Sequence, residues 1–244
     1  MVLTVLGYAL LTDLATALGA LPFAFVRSVS ERWQGIMTAI AGGMMVAASV
    51  FSLAEEGLRQ GSVWLVSAGL LAGAAFIAAT AKWLEGNELP FEHLTGKAAR
   101  QSWLLLLALF AHSFPEGVAI GVGFATGEFR TGLLLAIAIA VHNIPEGLAL
   151  SLPLRARGVS VLKCAWYAIL SSLPQPLAAV PAYLLATLIH PFLPFGLGFA
   201  GGAMIFLVVQ ELVPDSLTHT TRSETAWGFM AGLLFMMVFV SVMH

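Results

Sequence analysis

Two short stretches of this chain have the residue types and spacing for chemistry: HSFPEG, beginning at His112, and HNIPEG, beginning at His142. In each, a histidine precedes a glutamate by four residues, which on a helix puts both side chains on one face, one turn apart. If two such pairs face each other, His112, Glu116, His142 and Glu146 offer two imidazole nitrogens and two carboxylates to a single point. That mixture suits a borderline divalent cation, Zn²⁺ first, with Fe²⁺, Mn²⁺ or Cd²⁺ as further candidates. A site built for hard ions alone would be expected to use only oxygen ligands. Each motif also holds a proline, Pro115 or Pro145, which lacks an amide hydrogen and releases the carbonyl four residues earlier, on Ala111 or Val141. Gly117 and Gly147 follow, leaving room for a neighbouring helix or a hydrated ion.

The surroundings of these motifs are apolar. The 244 residues are 59% hydrophobic and only 10% charged, against about 25% charged in an average soluble domain. Mean hydropathy is +0.91. The fold class expected is an all-α integral membrane protein. Since a spanning helix needs about 20 apolar residues, eight segments qualify, at 4–26, 34–54, 62–84, 103–125, 131–154, 162–189, 192–213 and 225–243. The uncharged run from Cys164 to Gln210 is too long for one crossing, and His190, Pro191 and Pro194 divide it. The apolar start lacks the positive n-region of a signal peptide, and Asp13 and Pro22 fit a retained helix better than a cleaved leader.

Sorting the 11 Lys and Arg residues by loop places Arg27, Arg32, Lys82, Lys97, Arg100, Arg155, Arg157, Lys163 and Arg222 on one side and only Arg59 and Arg130 on the other. This positive-inside bias puts both termini on the non-cytoplasmic side and requires an even number of crossings. His112 and His142 then lie about ten residues into the fourth and fifth spans, which at 1.5 Å per residue is near the bilayer midplane. A short connection around Gly127–Arg130 makes these two spans antiparallel neighbours. Ionisable groups at that depth cost roughly 2.5–3.5 kcal/mol each on insertion scales and persist when paired or functional.

At these residues the sequence resembles the ZIP (Zrt/Irt-like) family of divalent-metal transporters, in its prokaryotic form. Eight spans, outside termini, a polar loop between spans three and four and both H-x-x-P-E-G motifs all correspond. The resemblance covers essentially the whole chain, so 1–244 is expected to be a single transmembrane domain with a cytoplasmic loop at 85–100. It implies a first metal site at His112, Glu116, His142 and Glu146. An adjacent second site would be read from Ser113, Asn143, Gln175 and the two glutamates. There Ser113 stands where the family has Asn, and Gln175 where it often has Glu, and losing an anion weakens the hold on a second divalent ion. Those positions line either a mononuclear site or a water or proton path. The resemblance also implies an exit-path role for Glu211, a homodimer, and a bundle of spans one, four, five and six moving against a scaffold.

The function expected is transport of a divalent metal, most simply zinc, into the cytoplasm across the inner or plasma membrane. The metal is cargo, and no cofactor is expected. Partners are the ions and the lipid bilayer, with no nucleic acid. An intramembrane zinc hydrolase is the first alternative, but it needs an open coordination position and a general base beyond the ligands; the chain has no H-E-x-x-H, so no enzyme is expected. A metal-gated channel or sensor is the second. Among the other polar residues, Asp13 reads equally as a paired structural acid or a pathway group. Glu55 and Glu56 read as helix-end charges, His93 as a solvated loop residue, and Met44 and Met45 as packing. The insert 82–102 is the expected mobile segment, and the lone Cys164 rules out an internal disulfide.

Overall fold

The computed structural model describes residues 1–25, 30–87, 89–125 and 129–243, with the Met243 side chain left aside. Arg27, and Gly127 and Glu128 of the expected turn at Gly127–Arg130, lie outside the described residues. Among the described residues the fold is all-helical, and seven helices are long and apolar enough to cross a membrane. They are α1 (Val2–Phe25), α2 (Glu31–Gln60), α3 (Val63–Glu85), α4 (Gly96–Ala125) and α5 (Phe129–Ala156), then, beyond two shorter helices, α8 (Ala186–His219) and α9 (Arg222–Met243). The segment expected at 162–189 is those two pieces, α6 (Val161–Ser172) and α7 (Pro174–Leu184). At 1.5 Å per residue neither reaches across about 30 Å of hydrocarbon alone.

The break between α6 and α7 at Leu173 has a local cause. Pro174 and Pro176 cannot donate the amide hydrogens that Leu170 and Ser172 would accept in a continuous helix. The next interruption falls at Leu185, whose φ of −111° and ψ of 27° leave the helical region. That is a few residues before the expected break at His190, where a 3-10 turn, His190–Phe192, lies within α8. By contrast, α4 and α5 stay helical through Pro115, Pro145 and Pro153.

Two groups of helices pack side by side. α1, α4, α5, α6 and α7 contact one another, while α3 packs on α8 and α9 on α2; α4 against α8 and α5 against α2 join the groups. Without a hydrophobic drive between helices in lipid, close backbone approach does much of the holding. Gly73 of α3 shows how close: a Cβ there would sit 2.0 Å from the Phe199 carbonyl oxygen of α8. The AGGMM and FAGGAM patches serve the same purpose, at Gly43 against Phe229 and Gly202 against Leu70. Met45 is fully buried and Met44 packs in a neighbouring cluster, as expected of packing residues.

The outer surface suits lipid. Leu3, Leu71 and Leu162 are largely exposed, and Trp33, Trp64, Trp83, Trp166 and Trp227 are exposed near helix ends, where indole rings favour membrane interfaces. The segment between α3 and α4 is docked rather than free of contacts. Phe91 is buried between Trp103 and Tyr167. Lys163 Nζ and the Tyr167 hydroxyl each donate to Glu92 at 2.5 Å, and these bonds hold the Glu92 carboxyl below its ordinary range. His93 Nε2 lies 2.9 Å from the Arg157 carbonyl oxygen, so it is a docked residue and not simply a solvated one.

Candidate metal site

On α4 the two motif residues lie between two apolar layers. Leu104–Leu106 and Leu109 belong to one buried cluster, Ala119, Ile120 and Phe124 to another, and His112 and Glu116 fall between. The same order repeats on α5, with Ile139 in the second cluster, Leu150 in the first, and His142 and Glu146 between them. The result is a thin polar layer closed above and below by packed side chains. All four residues are at most 2% exposed.

Within that layer the four side chains meet. One ligand atom from each of His112, Glu116, His142 and Glu146 can be chosen so that all lie within 4.8 Å of one another. His112 Nε2 is 2.9 Å from Glu146 Oε1 and 3.3 Å from Glu116 Oε1. His142 Nδ1 is 3.1 Å from Glu116 Oε1, and its Nε2 is 3.4 Å from Glu146 Oε1. Donors about 2.0–2.1 Å from a zinc ion stand about 3.3 Å apart at the corners of a tetrahedron, so these separations are close to what such an ion asks for.

The protonation pattern points the same way. His112 Nδ1 is 3.0 Å from the carbonyl oxygen of Ala200 on α8. A carbonyl only accepts, so Nδ1 carries a hydrogen, and Nε2 is turned toward two carboxylates. Apart from these contacts with one another, His112 Nε2, His142 Nε2 and both oxygens of Glu146 have no hydrogen-bond partner among the described residues. Carboxylates and imidazoles buried together in this way need a positive charge among them, a proton or a metal ion. Fixing one ring nitrogen so that the other can ligate is a common device at metal sites.

A second set of polar groups adjoins the first. Gln175, in the first turn of α7 just after the proline break, is fully buried, as is Asn143. Gln175 Nε2 donates to Glu116 Oε2 at 2.6 Å and to Asn143 Oδ1 at 3.2 Å. Asn143 Nδ2 donates to Gln175 Oε1 at 3.0 Å and to the Thr12 carbonyl at 2.8 Å. Ser113 is buried, with its hydroxyl unpartnered. Asp13 is buried on α1, with Oδ1 unpartnered.

Glu211 is not brought to the cluster. It sits in a π-helical turn of α8, Val208–Leu212. There it lines a separate cavity of about 410 Å³ with Lys97, Arg100, Gln101, Arg157 and Asp215. Burial lowers the Arg157 pKa, against the pull of Asp215 and Glu211. Glu55 pairs with Arg59 at 2.8 Å and Glu56 accepts from Gln60, the local arrangement of helix-end charges.

Two participants were not foreseen. Thr12 joins α1 to Asn143 and Gln175, and a threonine in an apolar span gives little signal. The Ala200 carbonyl gives none, because main-chain acceptors leave no mark in sequence. The motif glycines have one clear task. A Cβ on Gly117 would lie 2.3 Å from the Gln175 carbonyl oxygen, and one on Gly147 only 1.8 Å from that of Thr16. They make room for α7 and α1.

The fold and the site together define a polytopic helical membrane protein with a buried His₂Glu₂ group that could hold a transition-metal ion. Comparison with known proteins agrees. The family model for ZIP zinc transporters matches residues 91–240. Zinc transporter GufA of Myxococcus xanthus is 35% identical over 94% of this chain and 95% of its own length. Zinc transporter ZIPB of Bordetella bronchiseptica is 37% identical over 95% of this chain and 80% of its own. A putative zinc transporter of Arabidopsis thaliana is 45% identical over 91% of this chain, which spans 36% of that protein's length. The chain belongs to the ZIP family of metal transporters.

Proposed function

We propose that the chain carries a divalent transition metal, zinc foremost, into the cytoplasm, binding it at His112, Glu116, His142 and Glu146 on α4 and α5. The observation that carries this reading is the convergence of two imidazoles and two carboxylates, all buried, in one layer between apolar clusters. An ion exchanges its waters for these donors, and the hold must be strong enough to select yet weak enough to release. Asn143, Ser113 and Gln175 line the site. Release runs toward Glu211 and its cavity, where the positive residues of the cytoplasmic side gather.

In this reading the chain is one transmembrane domain, 1–244. α6 and α7 cross as a single interrupted span, giving eight crossings with both termini outside and the 85–100 loop in the cytoplasm. The charge distribution supports that orientation. The membrane is the inner or plasma membrane, and the working unit is a homodimer. A hydrolase is not favoured, since the relatives are named transporters and both glutamates belong to the cluster.

The test is uptake of Zn²⁺, Fe²⁺, Mn²⁺ and Cd²⁺ into liposomes holding the purified protein, with Glu146→Ala as control. The expected result is uptake led by Zn²⁺ and lost in the variant. Undiminished uptake by the variant would refute the assignment.

A further inference from the structure

The two glutamates of the cluster are not equivalent. Glu146 Oε1 faces His112 and His142, and its Oε2 has no hydrogen-bond partner among the described residues. Glu116 is divided: Oε1 faces His112 and His142, whereas Oε2 accepts the amide hydrogen of Gln175 at 2.6 Å. The orientation of that amide is fixed, because turning it over would set a carbonyl oxygen against the carboxylate. Its other bonds are also used. The second Nε2 hydrogen goes to Asn143 Oδ1, and Oε1 receives Asn143 Nδ2 and lies 2.8 Å from the Thr12 hydroxyl, whose hydrogen it shares with the Ala9 carbonyl. Asn143 spends its remaining hydrogen on the Thr12 carbonyl. Three helices are thus joined by a hydrogen-bond network that carries no charge of its own and ends on one oxygen of Glu116.

We infer that Gln175 is a positioning residue that fixes Glu116 as a one-oxygen donor and fills the space beside it with satisfied neutral groups, so that each chain holds one divalent ion rather than two. This rests on the reading of the cluster as a metal site. A second adjacent cation would find amide groups already bonded to one another and only carboxylates shared with the first ion, and divalent cations are held largely by ligand charge. Monodentate Glu116 also keeps the coordination number low.

The experiment is a Co²⁺ titration of the full chain purified in detergent micelles, read by metal content per chain and by visible absorption. Wild type is expected to bind one Co²⁺ with the intense bands of four-coordination. Gln175→Met, similar in size but without the amide, is expected to keep one Co²⁺, bind it about 10- to 100-fold more weakly, as loss of an outer hydrogen bond typically does, and show weaker bands as Glu116 chelates through both oxygens. Gln175→Glu is expected to bind two. Two tightly bound ions in wild type, or a Gln175→Met variant with unchanged affinity and spectrum, overturns the inference. Should Gln175→Met fail to fold, the wild-type and Gln175→Glu stoichiometries decide it. A wild type that binds no Co²⁺ defeats the metal-site reading as well. Binding that Glu116→Ala abolishes but Gln175→Met leaves untouched defeats this inference alone.

Discussion

The glycine that closes each motif is predicted to be a packing residue, and Gly147→Ala tests it most sharply. A methyl carbon there would stand 1.8 Å from the carbonyl oxygen of Thr16. A comfortable carbon–oxygen contact is about 3.3 Å, so α1 and α5 must part by about 1.5 Å. Backbone lies on both sides, and no flexible side chain can yield instead. Overpacking of this kind costs about 1–3 kcal/mol. It also reaches the site: the bond from Asn143 Nδ2 to the Thr12 carbonyl, now 2.8 Å, stretches well beyond hydrogen-bond range if the displacement runs along it. The expected outcome is a lower thermal unfolding midpoint in detergent together with weaker Co²⁺ binding. Gly7→Ala on the same helix is the control. It meets no atom within 4 Å, so the helix interior should be unaffected or gain about 0.5–1 kcal/mol. If Gly147→Ala matches wild type in both midpoint and affinity, the close approach of α1 to α5 is wrong.

Three further outcomes are expected. His112→Ala and His142→Ala should each abolish stoichiometric Zn²⁺ binding, measured by calorimetry, while leaving the helical circular dichroism unchanged. Lowering the pH should weaken Zn²⁺ binding and slow liposome uptake, because protons compete for the same nitrogens and oxygens; uptake that rises steadily as pH falls would contradict it. Glu92→Gln should make the segment between α3 and α4 easier to cleave in limited proteolysis. Since Lys163 and Tyr167 lower the Glu92 pKa, wild-type docking should be complete above the ordinary carboxylate range and lost only as pH falls through the lowered value.

The site was legible because it combines two signals that rarely coincide by chance: ionisable residues at membrane depth and a repeated i, i+4 spacing. Those features placed His112, Glu116, His142 and Glu146 together before any coordinates, and composition alone indicated a helical membrane protein. Glu211 illustrates the limit. Its neighbours Lys97 and Arg100 come from the start of α4 and Arg157 from just past the end of α5, so its surroundings could not be read from its own span. The break at Leu173 was missed for another reason: hydropathy sees one apolar run from 162 to 189, while Pro174 and Pro176 remove two ladder bonds from it. The docked 91–94 turn, held by Phe91 and Glu92, was hidden by its polar composition, which resembles that of a free linker.

Where the two helix groups meet explains why the cluster is built as it is. Among the described residues, the hydrogen bonds and ion pairs of Glu116, His142 and Glu146 run to α4, α5 and α7. His112 alone also donates across the seam, to the Ala200 carbonyl of α8. Near the cluster the groups are joined by packing of α4 on α8 and α5 on α2; the Arg100–Glu85 ion pair between α4 and α3, 3.1 Å long, lies at the helix ends. A single hydrogen bond across the seam holds the His112 ring and aims Nε2 at the carboxylates. Any sliding of one group on the other that broke it would free the ring to turn and remove one of four donors. The polar layer depends on the register between the groups, and the backbone of α8, which contributes no ligand of its own, determines whether the four donors converge.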